Sequence, residues 1–169
     1  AAIVRHLAHS GHRVLGVSRT KPPASTWIQA DISTPEGIKT LLTAFGATPL
    51  DGLLYLGGVW EKNAFTDAFR FENSSDAETR FVIAVNLVAP IELVRGLAKN
   101  LGLTPNPRAV FIGSLSGLDN AASAEVANTA SKFGLRGAAQ SLRLACLGQG
   151  IGFTVINPGN TATSEILDD

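Results

Sequence analysis

Apolar positions recur along this chain in two rhythms, one helical and one strand-like, and the two take turns. Ile3, Val4 and Leu7 stand at helical spacing in the opening ten residues, and Gly11 follows where a left-handed residue closes a helix. Val14, Leu15 and Val17 predict a short buried strand over His12–Val17, bounded by the loop Ser18-Arg19-Thr20-Lys21-Pro22-Pro23. A second strand is predicted at Thr26–Ala30. Ser33 or Thr34 then caps a helix with Pro35 and Glu36 in its first turn and Ile38, Leu41, Leu42 and Phe45 as its buried stripe. Asp51–Gly58 reads as a third strand ending in glycines, and the polar stretch Glu61–Glu78 reads as loop with a helix starting near Ser75. Helical spacing continues to Leu101, with Pro90 expected to kink or restart the helix. Arg108–Ile112 is a fourth strand, Ala122–Leu147 a long helix, and Ile151–Ile156 a fifth strand before Asn157-Pro158-Gly159.

Strands that alternate with helices predict an α/β fold, a doubly wound parallel sheet with helices on both faces. No repeat, low-complexity segment or linker divides the 169 residues, which fit one domain. The formal net charge is zero, so charge offers no means of capturing nucleic acid or an anionic membrane. The longest uninterrupted apolar runs, such as Leu53–Leu56 and Ala109–Ile112, are strand-sized, and no membrane partner is expected. A lone Cys146 excludes an internal disulfide framework and, with no metal-ligand cluster around it, reads as a small buried hydrophobe. Arg5, His6 and His9 interrupt the opening apolar positions, so no signal peptide is visible and a cytoplasmic location is expected.

Several motifs stand in a telling order. Asp51-Gly52-Leu53-Leu54-Tyr55-Leu56-Gly57-Gly58 is followed by Val85-Asn86-Leu87 and then by Phe111-Ile112-Gly113-Ser114-Leu115-Ser116-Gly117. Asn128-Thr129-Ala130-Ser131-Lys132 comes next, and Asn157-Pro158-Gly159-Asn160-Thr161-Ala162-Thr163 last. In this order and spacing the chain resembles the short-chain dehydrogenase/reductase family across nearly its whole length. The first motif is similar to the family's Asn-Asn-Ala-Gly strand with only the final glycine kept, so Gly57 and Gly58 retain a backbone role beside the cofactor. The resemblance implies Asn86 as the tetrad asparagine, Ser114 as the catalytic serine by register against Gly117, and Lys132 as the catalytic lysine. The family's Tyr-x-Ala-Ser-Lys segment is matched except at its tyrosine, where Asn128 stands. Pro158, Gly159, Thr161 and Thr163 correspond to the family's Pro-Gly-x-Val-x-Thr cofactor segment.

Two further positions concern the cofactor. Ser18-Arg19 falls at the end of the second family strand, where an acidic residue would bind the ribose hydroxyls of NAD. A guanidinium there suits the extra phosphate of NADP, so the resemblance implies NADP in preference to NAD, the alternative being a solvated loop arginine. Asp31-Ile32 resembles the family's adenine-side aspartate, with a loop or cap role for Asp31 as the alternative. In this family tyrosine handles the proton that accompanies hydride transfer, lysine lowers the tyrosine pKa and holds the nicotinamide ribose, serine polarises the carbonyl and asparagine supports a water-linked proton path. Asn128 and Lys132 are spaced i to i+4 and share one helix face, but an amide cannot donate and recover a proton near neutral pH.

Singly these residues have plain readings: Ser114 as a strand-end cap, Asn86 as a buried helix-bonding amide, Lys132 as a surface lysine. Their joint register favours the family roles. The resemblance thus implies an NADP-dependent oxidoreductase of a small-molecule carbonyl or secondary alcohol, impaired at position 128, or else a non-catalytic dinucleotide-binding or scaffold protein of the same Rossmann-type fold. The family's first strand and glycine-rich turn would precede Ala1, so residues 1–169 are expected to be a partial dinucleotide-binding domain. Loss of that inner strand would split the sheet into two blocks or leave unpaired inner edges. The helices around Ala84–Leu101 and Ala122–Leu147 resemble the family's dimer-forming pair, and a homo-oligomer of the complete protein is expected.

Overall fold

Every strand pairing in the computed structural model of this chain, which describes residues 2–21 and 26–159, is parallel. The strands form two separate sheets, and the chain divides into two compact units, Ala1–Thr48 and Pro49–Asp169.

In the first unit, α1 (Ala2–His9) ends at Gly11, whose φ of 83° is the left-handed conformation expected of it. β1 (Leu15–Ser18) pairs with β2 (Thr26–Gln29) in a register that sets Val17 against Ile28. The cap of α2 (Pro35–Phe45) is Thr34, whose hydroxyl accepts the Gly37 N–H at 3.0 Å. Residue 37 has to be glycine: a Cβ there would lie 1.8 Å from the Asp31 carbonyl oxygen. Ile38 and Leu41 are the buried side chains of this helix.

The second unit is built on β3 (Gly52–Tyr55), β4 (Arg108–Ile112) and β5 (Gly152–Ile156), with β4 in the middle and Ala109 and Phe111 wholly buried. Within each sheet the strands pair in chain order, β1-β2 in one and β3-β4-β5 in the other. α3 (Asp76–Ile83) is capped by Ser75 through the Glu78 N–H at 3.1 Å. A π-helical turn, Ala84–Val88, joins it to α4 (Ala89–Leu101). Pro90, in the first turn of α4, has no N–H to give, and the widened turn before it absorbs that loss without breaking the helical run.

The continuous run Asp76–Leu101 is long and apolar enough, by length and composition, to cross a membrane, a property that uninterrupted apolar runs alone did not reveal. In this fold it carries much of the core: Leu93, Val94, Leu97 and Leu101 are buried, and α4 packs on β3 and β4.

The long helix α5 (Val126–Ala145) starts four residues later than its apolar pattern predicts. Glu125 is its N-cap, and the Glu125 carboxylate leaves the helix end to accept the Phe65 N–H at 2.7 Å. Cys146 closes α5 and is buried, and burial pushes its thiol pKa up.

Candidate active site

The tip of β4 and the first turns of α5 carry most of the residues that the motif order singled out. Beyond Ile112 the chain passes through Gly113 to Ser114, which caps a 3-10 turn, Leu115–Gly117. Ser114 is held by its backbone, because its N–H donates to Asn157 Oδ1 at 3.2 Å. Gly113 makes room for that amide: a Cβ there would come within 2.0 Å of the same oxygen. The Ser114 hydroxyl oxygen accepts from the Ser116 N–H at 3.3 Å and from the Ser116 hydroxyl at 3.0 Å. Gly117 brings the turn against α5, since a Cβ on it would lie 2.9 Å from the Lys132 backbone carbon and oxygen.

From α5, Asn128 donates its Nδ2 to Ser116 Oγ at 3.3 Å and is 3% exposed. Lys132, one helical turn on, donates its ammonium to the Ile112 carbonyl at 3.1 Å. That side chain is buried, and burial pushes its pKa down. An ammonium has three donors, and among the described residues one of them, to Ile112, is used. Gly58 stands over the same group, the position of a Cβ there being 3.7 Å from Lys132 Nζ. Residues 114, 116, 128 and 132 therefore gather at one place, between a strand tip and a helix face.

Asn86 lies in the π-helical turn and is fully buried. Its Oδ1 accepts the Val59 N–H at 2.9 Å, and its Nδ2 donates to the Val59 carbonyl at 2.7 Å and to Ser131 Oγ at 3.1 Å. Ser131 in turn donates its hydroxyl to the Asn128 carbonyl at 2.6 Å. One asparagine thus ties the segment after the Gly57-Gly58 pair to the helix that carries Asn128.

Three contributors escaped the sequence reading. Ser116 stands between Asn128 and Ser114, Asn157 aligns Ser114, and Glu61, read as loop, is 2% exposed. Glu61 Oε1 accepts the N–H groups of Ala127 at 2.7 Å and Asn128 at 3.2 Å. Its Oε2 is the one buried side-chain oxygen or nitrogen without a partner among the described residues. Ser116 and Asn157 stood inside the quoted motifs without an assigned role, and Glu61 carried no signal.

Tyr55, the single tyrosine, is no substitute for a phenol at position 128. It ends β3, is 3% exposed and donates its hydroxyl to the Val85 carbonyl, and burial pushes its pKa up. Gly57 accommodates its ring, which a Cβ would meet at 2.9 Å.

In the first unit, Ser18 ends β1, and its hydroxyl accepts the Trp27 indole N–H at 3.0 Å. Arg19 follows and is exposed, with its carbonyl accepting from the Gln29 amide at 3.0 Å. Asp31 accepts the Ser33 hydroxyl at 2.6 Å and the Ser33 N–H at 3.0 Å, and these bonds hold its carboxyl below its ordinary pKa. Asp31 therefore shapes the turn ahead of α2, and Ile32 beside it is half-buried. Of the last motif, Pro158 is half-buried and Gly159 exposed, while Thr161 and Thr163 lie outside the described residues.

The short chain dehydrogenase family model matches residues 1–167. The short chain dehydrogenase ausX of Penicillium brasilianum is 34% identical over 169 residues, covering 94% of this chain and 63% of that protein. This chain thus spans under two thirds of the curated relatives it matches first. Among solved structures, a 4-hydroxyisoleucine dehydrogenase complexed with NADH is 27% identical with a TM-score of 0.82, covering 99% of this chain and 73% of that one. A metagenomic short-chain oxidoreductase in complex with NADP is 25% identical with a TM-score of 0.79, covering 95% of this chain and 76% of that one. A serine at the tip of β4, a buried lysine on α5 and a nearly complete family match agree, and the chain belongs to the short chain dehydrogenase family.

Proposed function

We propose that the protein containing this chain is an NADP-dependent oxidoreductase of a carbonyl or secondary alcohol in which Asn128 occupies the acid/base tyrosine position and impairs the reaction. The observation that carries this reading is the linked row Asn128, Ser116 and Ser114, with the buried Lys132 ammonium one helical turn from Asn128. When bound, the nicotinamide cofactor supplies or accepts the hydride. Lys132 would hold the nicotinamide ribose through its ammonium, and the open backbone at Gly58 leaves space beside it. On the first unit, exposed Arg19 would pair with the phosphate that distinguishes NADP from NAD. Ser114 would hydrogen-bond the substrate oxygen, and Asn128 could donate a hydrogen bond to that oxygen but no proton.

Losing a general acid commonly costs about 100- to 10,000-fold, so the wild-type protein should bind NADPH and turn over slowly. The test is N128Y in the full-length protein, assayed for NADPH-dependent carbonyl reduction over a panel of ketones and aldehydes. A rise of about 100-fold or more supports a disabled reductase. Unchanged inactivity with intact NADPH binding supports the second reading, a non-catalytic dinucleotide-binding or scaffold protein, which the buried amide at position 128 favours.

The complete protein is proposed to be a cytoplasmic homo-oligomer. Exposed apolar side chains on and beside the two long helices, Val88, Phe133 and Leu144, support self-association. Light scattering that finds only monomer would count against it.

A further inference from the structure

The first turn of α5 has backbone N–H groups that its own cap does not satisfy. Glu125 occupies the N-cap position, but its side chain makes no cap bond and accepts the Phe65 N–H instead. The N–H groups of Ala127 and Asn128 find their acceptor 66 and 67 residues away in sequence, on Glu61. A serine or aspartate at 125 could cap the helix locally and more simply. The arrangement present buries a carboxyl group and leaves Oε2 without a partner among the described residues, so part of its desolvation is not recovered there. A device built for helix stability alone has no need of that cost.

What the device does achieve is placement. Glu61 lies two residues beyond Val59, whose peptide is gripped on both sides by Asn86. Asn86 also bonds Ser131, and Ser131 bonds the Asn128 carbonyl. The backbone of residue 128 is therefore held at both its N–H, by Glu61, and its carbonyl, through Ser131, from one buried asparagine outward. We infer that Glu61 is a positioning residue: by accepting the amides of Ala127 and Asn128 it sets the direction from which the side chain at position 128 meets Ser116 and Ser114. The inference rests on the reading of this site given above, and Glu61 acts through the helix, not on substrate.

The test uses the full-length protein with E61A, E61Q and E61D, each made in the wild-type and N128Y backgrounds. The first readout is hydrogen exchange at the amides of Ala127 and Asn128, which needs no activity. E61A should accelerate exchange at these two amides by about tenfold or more while the middle of α5 stays protected. E61Q, which keeps an acceptor oxygen at the same reach, should restore protection. The second readout is NADPH-dependent reduction in the N128Y background. There E61A should lower kcat about 10- to 100-fold with KM for NADPH changed less than about twofold, and E61Q should recover most of kcat. E61D, one methylene short, should fall between them and serves if E61A does not fold. Unchanged exchange in E61A or E61D overturns the inference whatever the activity, as do kcat and KM moving together. If N128Y is itself inactive, the functional reading fails, while the exchange experiment still decides whether Glu61 holds position 128.

Discussion

Asn128 reaches Ser114 through Ser116: the amide Nδ2 donates to Ser116 Oγ at 3.3 Å, and that hydroxyl donates to Ser114 Oγ at 3.0 Å. Asn128 and Ser116 are buried, so neither can turn to bulk water if the other is removed. The substitution S116A should cost about 1–3 kcal/mol, because it leaves the Asn128 amide without its acceptor. It should also remove one of the two hydrogen bonds that Ser114 Oγ accepts, leaving the one from the Ser116 N–H. Urea unfolding of S116A in the full-length protein checks this, and a variant as stable as the parent would mean that the amide is satisfied elsewhere.

Lys132 couples the site to pH. Its pKa in the folded chain is depressed by burial below the ordinary lysine value of 10.5. Between the depressed value and 10.5 the unfolded chain keeps a proton that the folded chain has released, so the unfolded state binds more protons and stability rises with pH. Below that window both states are charged and the whole cost of burying the ammonium is present. Relative to K132M, which cannot titrate there, the parent should therefore gain stability as pH climbs toward 10.5. Paired denaturant titrations at about pH 8 and at the alkaline end measure the parent's stability minus that of K132M, and a value that stays flat or falls as pH rises contradicts the buried ammonium.

On the proposed reading, cofactor choice turns on Arg19, the exposed cation just past the end of β1. If it pairs with the extra phosphate of NADP, R19A should weaken NADPH binding about tenfold, equivalent to about 1.4 kcal/mol. NADH binding should change by less than about twofold, since NADH offers no such phosphate. Fluorescence titration with both dinucleotides reads this directly. Equal losses for the two would remove Arg19 from the phosphate site.

Much of the fold was readable because its signals are local. Gly11 closes α1, Thr34 caps α2, Ser75 caps α3, and each is decided by a few neighbouring backbone groups. Residues 128 and 132 share a face because a helix repeats every 3.6 residues, whatever it packs against. Boundaries were less legible where distant groups intervene. The predicted third strand ran to Gly58, but pairing with β4 stops at Tyr55, and Asn86 then takes up the backbone of Val59. In the same way α5 begins at Val126, where the first-turn N–H groups of Ala127 and Asn128 are taken up by the distant Glu61.

The order of strands and helices was legible in the amino-acid sequence because periodicity along one strand or helix reports it, and the order of motifs carried the family resemblance that singled out Ser114, Asn128 and Lys132 as candidates. Only the folded chain decided that Ser116 is the bridge, that Asn157 aligns Ser114, and that Glu61 is a buried acceptor rather than part of a solvated loop. It also decided that Asp31 is taken up by Ser33. The physical reason is range. Periodicity reports which face a residue occupies, whereas the partner of a buried polar atom comes from wherever chain closure brings a matching donor or acceptor, here from segments up to 67 residues apart.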